Sequence, residues 1–410
     1  MKVMKSRLFF IVFLALGLAV SCIGQSQTAG PVQSTATPTA SMPIEPTQTP
    51  LPTPTQVTCL PSGDQNTINA KLNGPDKVAV LCQGAVFELT GPVVISADRQ
   101  QIYTEGFPSD EHRATLRIVS PSLATAVIMR DYSDVVLSHV IVDGNRPTLG
   151  YMSGDALIYA GGSSSGQVIR AVRIIEPRSW SALHLIQGHA APAAPCSDAL
   201  VEDNEIGPAG STSDTWADGI SLACTNSIVR NNRIIDATDG GIVIFGAPGS
   251  LIENNTIRAE TRTLLGGINM VDFDPYNGNY TGTIVRNNTI EASGSVIRIG
   301  LGMGARVWLC LPLESDSTLY GATVTGNILR GTKMQYGFAV DGVQNWTATA
   351  NIDEATHSGS PSVNCNGRIA SKPAGFQYYP ARAQGVFQTE FTQSFLELAL
   401  WAITSPRPGE

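Results

Sequence analysis

The chain has little charge, few lysines and no long apolar run. Charged residues make up 15% of its 410 residues, and the formal net charge is −8. An acidic balance without a Lys/Arg-rich segment argues against nucleic-acid binding. The longest apolar stretch, residues 8–20, is too short at about 13 residues for a permanent membrane-spanning helix. Forty glycines and an aromatic content of 7% instead favour short strands joined by tight turns.

One short pattern recurs through the second half of the chain. Each copy places an asparagine between two apolar stretches, as in Leu200-Val-Glu-Asp-Asn204-Glu-Ile206. The aligned asparagines are Asn204, Asn232, Asn255, Asn288, Asn327 and Asn351. Their separations of 28, 23, 33, 39 and 24 residues fit a repeating unit with insertions. Self-similarity of this kind predicts a repeat fold.

Strand geometry explains why the pattern repeats. Apolar residues at alternate positions give each short strand one inward side, which a single strand cannot bury alone. Stacking such strands in parallel from coil to coil builds a continuous core. The asparagines would then lie above one another, each amide bonding its neighbours. The alternative is that asparagine only tolerates a left-handed turn conformation.

The pattern resembles the right-handed parallel β-helices of the pectate lyase and polygalacturonase superfamily. The resemblance implies an all-β chain folded as a right-handed parallel β-helix over residues 58–370. Asp64 at the start of residues 64–72, with Ile68 and Leu72 one turn apart, predicts a short N-terminal capping helix. The tail, residues 371–410, contains apolar residues at helical spacing and predicts a C-terminal capping helix or a helix lying along the coils.

The N-terminus carries export signals. Residues 1–22 read as a lipoprotein signal peptide, with Cys22 as the lipidated residue. A plain signal peptide is the alternative. Residues 23–57 are rich in Pro and Thr and predict a disordered linker. We therefore expect a monomeric bacterial protein outside the cytoplasm, either secreted or attached to a membrane only through its lipid.

The remaining six cysteines predict disulfides, because an even set in an exported protein is usually paired. Nearest neighbours in sequence suggest the pairs Cys59–Cys82, Cys196–Cys224 and Cys310–Cys365.

A second strand in each coil is predicted to carry an outward-facing stripe. Its middle residues alternate with inward apolar neighbours and, aligned between coils, should stack on the outer face. The stripe consists of His184, Ser221, Val243, Asn269, Arg298 and Ala339. This mixture suits a groove with a few placed polar groups.

Asp218, Asp239 and Arg298 are the candidate catalytic residues. With Trp216 they fall on neighbouring coils, and paired carboxylates suit acid–base cleavage of a glycosidic bond. The resemblance to polygalacturonases implies the same three residues. Gly240 and Gly300 stand in place of the family's second Asp and its Lys, and its His is absent, so a typical polygalacturonase is not expected. The alternative is that each Asp-Gly pair is an ordinary turn.

The insertion over residues 271–280 adds two kinds of candidate. Asp272 and Asp274 offer oxygen ligands of the kind that Ca²⁺ prefers, and Tyr276 and Tyr280 would stack on sugar rings. A polar surface loop is the alternative. The predicted substrate-binding residues are His184, Trp216, Asn269, Tyr276 and Tyr280.

Together these features predict a surface or secreted carbohydrate-active protein, a polysaccharide lyase or glycoside hydrolase, whose partner is a polysaccharide. The alternative is a non-catalytic glycan-binding adhesion protein.

Overall fold

A computed structural model describes residues 58–187, 196–211, 215–304, 307, 318–340 and 343–358. The predicted signal peptide with Cys22, the linker, the pair Cys310–Cys365 and the C-terminal helix lie outside these residues. They stay predictions.

The described chain winds through three long parallel sheets. Strands of the first sheet are Val78–Leu81, Gln101–Thr104, Val136–Ser138, Val168–Arg170, Leu200–Glu202, Ile228–Arg230, Leu251–Glu253, Ile284–Arg286, Thr323–Thr325 and Thr347–Thr349. Strands of the second sheet are Val86–Leu89, Ala114–Ile118, Val140–Asp143, Arg173–Ile175, Glu205–Ile206, Arg233–Ile235, Thr256–Arg258, Thr289–Ala292, Ile328–Gly331 and Ile352–Asp353. Strands of the third sheet are Val93–Val94, Val127–Ile128, Ile158–Gly162, Ser181–Gln187, Asp218–Leu222, Gly240–Ile244, Leu264–Met270, Ile297–Met303 and Met334–Val340.

Successive coils pair strand on strand in parallel, as predicted. Within each sheet the neighbours follow chain order, so each described coil contributes one strand to each sheet, except the last, which contributes only to the first and second. Inward residues such as Ile169, Val201 and Val229 lie in register and are fully buried. Two further short strands, Leu319–Tyr320 and Val343–Gln344, pair beside the coils. The predicted parallel β-helix is confirmed.

Two short helices accompany the coils, α1 (Gln65–Leu72) and α2 (Arg146–Leu149). Asp64 caps α1, because its side chain accepts hydrogen bonds from the backbone N–H groups of Asn66 and Thr67. Ile68 and Leu72 are fully buried and belong to the main core. The predicted N-terminal cap is confirmed.

The recurring asparagines form a buried ladder at the corner between the first and second sheets. Asn232 shows the pattern: its Nδ2 donates to Asn255 Oδ1 at 2.9 Å and to the Val201 carbonyl at 3.0 Å. Its Oδ1 accepts from Asn204 Nδ2 at 2.8 Å and from the Asn204 backbone N–H at 3.1 Å. The residue before each ladder asparagine adopts the left-handed backbone conformation, as Asn231 does with a φ of 56°. The ladder interpretation is confirmed over the simple turn interpretation.

Two predicted disulfides are present, Cys59–Cys82 and Cys196–Cys224, with Cα–Cα distances of 4.9 and 4.7 Å. Disulfides persist in oxidising compartments, so the folded region is extracytoplasmic. Within the described residues no helix has the length and apolarity to cross a membrane.

A column of inward-facing glycines bends the third-sheet strands. A Cβ on Gly241 would lie 2.6 Å from Ile257 Cγ2 and 2.7 Å from the Gly267 carbonyl oxygen. Gly219 and Gly267 are packed in the same way by core isoleucines and the next coil. In a straight strand, residues three apart face opposite sides. The bend lets both Asp218 and Ser221 face outward, and this positions the candidate site.

Candidate active site

The outer face of the third sheet carries the predicted stripe, with one correction. His184, Ser221, Val243 and Asn269 lie in register, as expected. The next residue in that row is Gly302, followed by Ala339. Arg298 precedes Gly302 by four positions in the same strand. Its neighbours Ile297 and Ile299 pair with Leu264 and Gly266 of the preceding coil, so Arg298 lies outside the row of the stripe. The strand Ile297–Met303 contains the apolar alternation twice, so sequence periodicity could not choose the register.

Arg298 is nearly fully buried, with 2% of its surface exposed. Its guanidinium Nη1 donates to Gln335 Oε1 on the following coil. An arginine packed in this way holds neighbouring strands together rather than standing in an open cleft. The predicted catalytic role of Arg298 stays a prediction.

Asp218 is held in a fixed orientation and is 4% exposed. Ser221 Oγ donates to its Oδ2 at 2.8 Å, and Ser181 Oγ lies 2.8 Å from Ser221 Oγ. The Gly240 backbone N–H also bonds the carboxylate. Burial, followed by the negative charge of Asp239, raises the pKa of Asp218 well above its usual value.

Asp239 and Asp272 complete an acidic cluster with Asp218. Asp239 immediately precedes strand Gly240–Ile244, and its backbone carbonyl accepts from the Gly266 N–H at 2.8 Å. Burial raises the pKa of Asp239 to about 6. Burial, followed by the charges of Asp239 and Asp274, raises the pKa of Asp272 to about 7. The negative charges of Asp239 and Asp272 both raise the pKa of Asp218, so these carboxyls interact electrostatically.

Asn269 lies beside this cluster with an unsatisfied amide. The residue is 4% exposed, and its buried Oδ1 accepts no hydrogen bond from the described residues. Its Nδ2 lies 3.1 Å from the point where a Cβ on Gly240 would sit, and Asp218 Oδ1 lies 3.6 Å from the same point. Val243 Cγ2 lies 2.5 Å from that point, so the absence of a side chain at Gly240 lets Val243, Asn269 and Asp218 pack closely together.

An aromatic wall, formed by Tyr159, Trp180, His184 and Phe245, borders the cluster. His184 packs edge-on against Trp180 at 4.8 Å between ring centroids, with Tyr159 and Phe245 at 6.0 and 6.2 Å. Its ring is 9% exposed, and its Nδ1 has no hydrogen-bond partner among the described residues. Burial lowers the pKa of His184 to about 4, so the ring is neutral at physiological pH.

The loop over residues 271–280 closes the other side of the cluster. Tyr280 Oη donates to the Ile244 carbonyl at 2.7 Å, and its ring is fully buried beside Trp346. The prediction that Tyr280 stacks on sugar is therefore wrong, because the residue anchors the loop to the core. Tyr276 is half-buried, with its hydroxyl donating to the Ala223 carbonyl at 2.5 Å. One face of the Tyr276 ring covers Gly246.

Trp216 lies at the corner before strand Asp218–Leu222. Its backbone pairs antiparallel with Gly210, and its side chain is half-buried. A role for Trp216 in binding sugar stays a prediction.

The predicted Ca²⁺ site has few convergent ligands. Within the described chain, the only group of three His, Cys, Asp or Glu side chains with ligand atoms inside 4.8 Å is Cys59, Cys82 and Glu105. The two cysteines of that group are bonded to each other. Among the residues that the structure describes, no third carboxylate joins Asp272 and Asp274 at this distance, whereas Ca²⁺ takes about six to eight oxygens. The Ca²⁺ site stays a prediction.

Sequence reasoning missed the residues that support the cluster. Ser181, Trp180 and Phe245 were not singled out, although Ser181 pairs in register with Asp218. Ser181 precedes the stripe residue His184 by three positions. An alignment of the coils that included the residue three positions before each stripe residue would have found it, because the glycine bend brings these two positions to the same side of the strand.

Comparison with known proteins agrees with this architecture. A family model for the right handed beta helix region matches residues 156–352. The fold is a right-handed parallel β-helix. No curated protein matches this sequence.

Solved structures share the β-helix at low sequence identity. The mannuronan C-5 epimerase A-module of Azotobacter vinelandii is 14% identical, with 77% of this chain and 93% of that chain covered and a TM-score of 0.40. The exopolygalacturonase of Thermotoga maritima is 13% identical, with 72% and 84% covered and a TM-score of 0.45. A surface protein and adhesin of Streptococcus pneumoniae is 10% identical, with 78% and 93% covered and a TM-score of 0.41. These likenesses concern the fold alone.

Proposed function

We propose that this β-helix binds a polysaccharide across the outer face of its third sheet and cleaves or modifies it by acid–base chemistry. The observation that carries the proposal is the acidic cluster, whose three carboxyls share one face with the unsatisfied amide of Asn269. Clustered acids with raised pKa values favour a functional site. Paired carboxyls are the usual means of activating a glycosidic bond.

The environments of the carboxyls suggest different roles. Asp272, with a pKa of about 7, keeps a proton available near neutral pH and suits the general acid. Asp239, with a pKa of about 6, is mostly ionised there and suits the general base. Asp218, bonded by Ser221 and Gly240, would orient the substrate between them.

The N-terminal segments suggest how the protein is displayed. Lipidation at Cys22 would attach the chain to a membrane, and the Pro/Thr-rich linker would hold the β-helix away from it. Mass spectrometry of the protein from membranes would detect the lipid on Cys22, and Cys22→Ser would release the protein into the medium.

The test is activity on a panel of acidic and neutral polysaccharides, with Ca²⁺ and with EDTA. Reducing ends report cleavage, and ultraviolet absorbance of an unsaturated product reports elimination. We expect Asp239→Asn to lower activity by about 10²–10⁴-fold, the usual contribution of a general base. Asp203→Asn is the matched control, because Asp203 is exposed on the opposite side of the coils and should keep full activity. Full activity in Asp239→Asn would overturn the assignment.

A second function, glycan binding without turnover, has one observation in its favour. Gly240 stands where the resembled enzymes have an aspartate, and Arg298 is buried against Gln335. Retained binding to a polysaccharide with no product in either assay would select this function.

A further inference from the structure

An unbroken row of aliphatic side chains runs along the outer face of the first sheet. Its members are the first residues of six successive strands and lie in register, so each one stacks on the next. This aliphatic row consists of Val136, Val168, Leu200, Ile228, Leu251 and Ile284, and each side chain is partly exposed. Six residues stacked at about 4.8 Å per coil make the row about 24 Å long.

The coils do not require aliphatic residues at such positions. In five of these six coils, the first residue of the second-sheet strand also faces outward and lies in register with its neighbours, yet it is polar. These residues are Arg173, Glu205, Arg233, Thr256 and Thr289. A contiguous apolar patch on a surface whose equivalent positions are polar favours an interaction site.

A row of alternating charges borders the aliphatic row on the side of the second sheet. This charged row lies two residues further along the same strands and consists of Arg170, Glu202, Arg230, Glu253 and Arg286. The glutamates pair with these arginines and are only 6% and 13% exposed, whereas the arginine side chains are 46%, 40% and 43% exposed. The accessible charge is therefore positive, and it recurs on every second coil, at intervals of about 10 Å.

One segment of the chain itself matches this surface in length and pattern. Residues 389–403 lie outside the described residues, and their sequence places Phe391, Phe395, Leu398 and Ala402 on one side of a predicted helix. A helix of about 15 residues is about 22 Å long, close to the length of the aliphatic row. Such a helix is marginal on its own in water, so it needs a surface that covers its apolar side.

The charges of this segment also match. Its charged residues are Glu390 and Glu397, and it contains no lysine or arginine. Seven positions are close to two helical turns, so the two carboxylates project from the same side of the helix, about 10 Å apart. That separation is close to the interval between arginines in the charged row, so each carboxylate can face one arginine.

We propose that residues 389–403 form a helix that lies along the aliphatic row, with Glu390 and Glu397 facing the charged row. About 30 residues connect Ser358 to this segment, and at about 3.3 Å each they reach any part of the coils. The aliphatic row belongs to the first sheet, whereas the candidate active site lies on the third. The docked helix therefore leaves that site open.

The other edge of the aliphatic row allows a close approach. Gly249 and Gly282 stand two positions before Leu251 and Ile284, on the side away from the charged row. Neither glycine has a side chain that would hold a helix away from the sheet. The helix can therefore pack directly on these two coils.

Amide hydrogen exchange of the full chain, measured by mass spectrometry, tests this contact. We expect residues 389–403 to exchange at least about 10-fold more slowly than an unstructured chain. Leu251→Asp replaces an apolar contact with a charge and should speed their exchange by at least about 10-fold. Thr256→Asp is the matched control, because Thr256 is the first residue of the second-sheet strand on the same coil and should leave that exchange unchanged.

A second pair of variants tests which side of the helix is used. Phe395→Asp should speed the exchange of the segment as Leu251→Asp does, whereas Gln393→Asp changes the opposite side and should not. Continued protection of strand Asp218–Leu222 shows that the coils stay folded in each variant. If Leu251→Asp removes that protection, Ile284→Asp tests the same row one coil further along.

Three results would overturn the inference. Absence of protection at residues 389–403 in the wild type would show that the segment is not docked. Protection that survives Leu251→Asp but is lost in Phe395→Asp would place the helix on another surface, such as the end of the coils. A dimer in sedimentation that Leu251→Asp makes monomeric, with exchange of the segment unchanged, would assign the aliphatic row to a second copy of the chain.

Discussion

Two sets of buried polar side chains lie on the same coils and differ in how they are bonded. At the ladder corner, Asn255 makes four hydrogen bonds, to Asn232 (two), to Val229 and to Asn288. On the outer face of the third sheet, Asn269 is equally buried, and its Oδ1 accepts none from the described residues. Burying a polar group without a partner is costly. The satisfied ladder stabilises the fold, and the unsatisfied Oδ1 of Asn269 is what we assign to a ligand.

The most direct test of this difference is to make the same substitution at Asn255 and at Asn269. Asn255→Ala removes four buried hydrogen bonds and leaves their partners unsatisfied, so we expect a loss of about 2–5 kcal/mol in the free energy of unfolding. Asn269→Ala removes none to the described residues and should change that free energy by less than about 1 kcal/mol. Denaturant unfolding measures both. Equal losses would show that the two asparagines have the same structural role.

The glycine bend can be tested separately. Gly241→Ala places a methyl 2.6 Å from Ile257 Cγ2 and 2.7 Å from the Gly267 carbonyl oxygen. We expect a loss of about 1–3 kcal/mol from overpacking, with reduced activity because Asp218 and Ser221 shift. Gly84→Ala is the control for conformational strain alone, since nothing lies within 4 Å of its Cβ position although its φ is 67°. Unchanged stability in Gly241→Ala would contradict the packing.

The smallest expected effect is a pH dependence of stability at Asp272. Its pKa is raised to about 7 in the folded protein from 3.8, so the stability it contributes is complete below pH 3.8 and is lost as the pH rises through 7. We expect Asp272→Asn to match the wild type at pH 3 and to exceed it by about 1–2 kcal/mol at pH 8, allowing for partial exposure to water. A constant difference between pH 3 and pH 8 would show that the carboxyl is not perturbed.

The errors of sequence reasoning have identifiable causes. The Asn ladder was predictable because identical residues stack only in one register. Arg298 was misplaced because Ile297-Arg-Ile299 and Leu301-Gly-Met303 carry the same alternation, and only the pairing with Leu264–Met270 selects one. Tyr280 was predicted to stack on sugar rings as part of a polar loop, yet its ring is buried in the core and its hydroxyl donates to the Ile244 carbonyl.

The sequence by itself determined the repeat, the ladder, the N-terminal cap and two disulfides, because each depends on residue type at a regular spacing. Only the tertiary structure decided which polar residues share the outer face. That choice depends on the glycine bend and on contacts between residues of different coils, such as Ser181 with Ser221 and Asp218 with Ser221. The spacing of apolar residues predicts which side of a strand faces the core. Where a strand bends, packing against neighbouring coils decides where the side chains on either side of the bend lie.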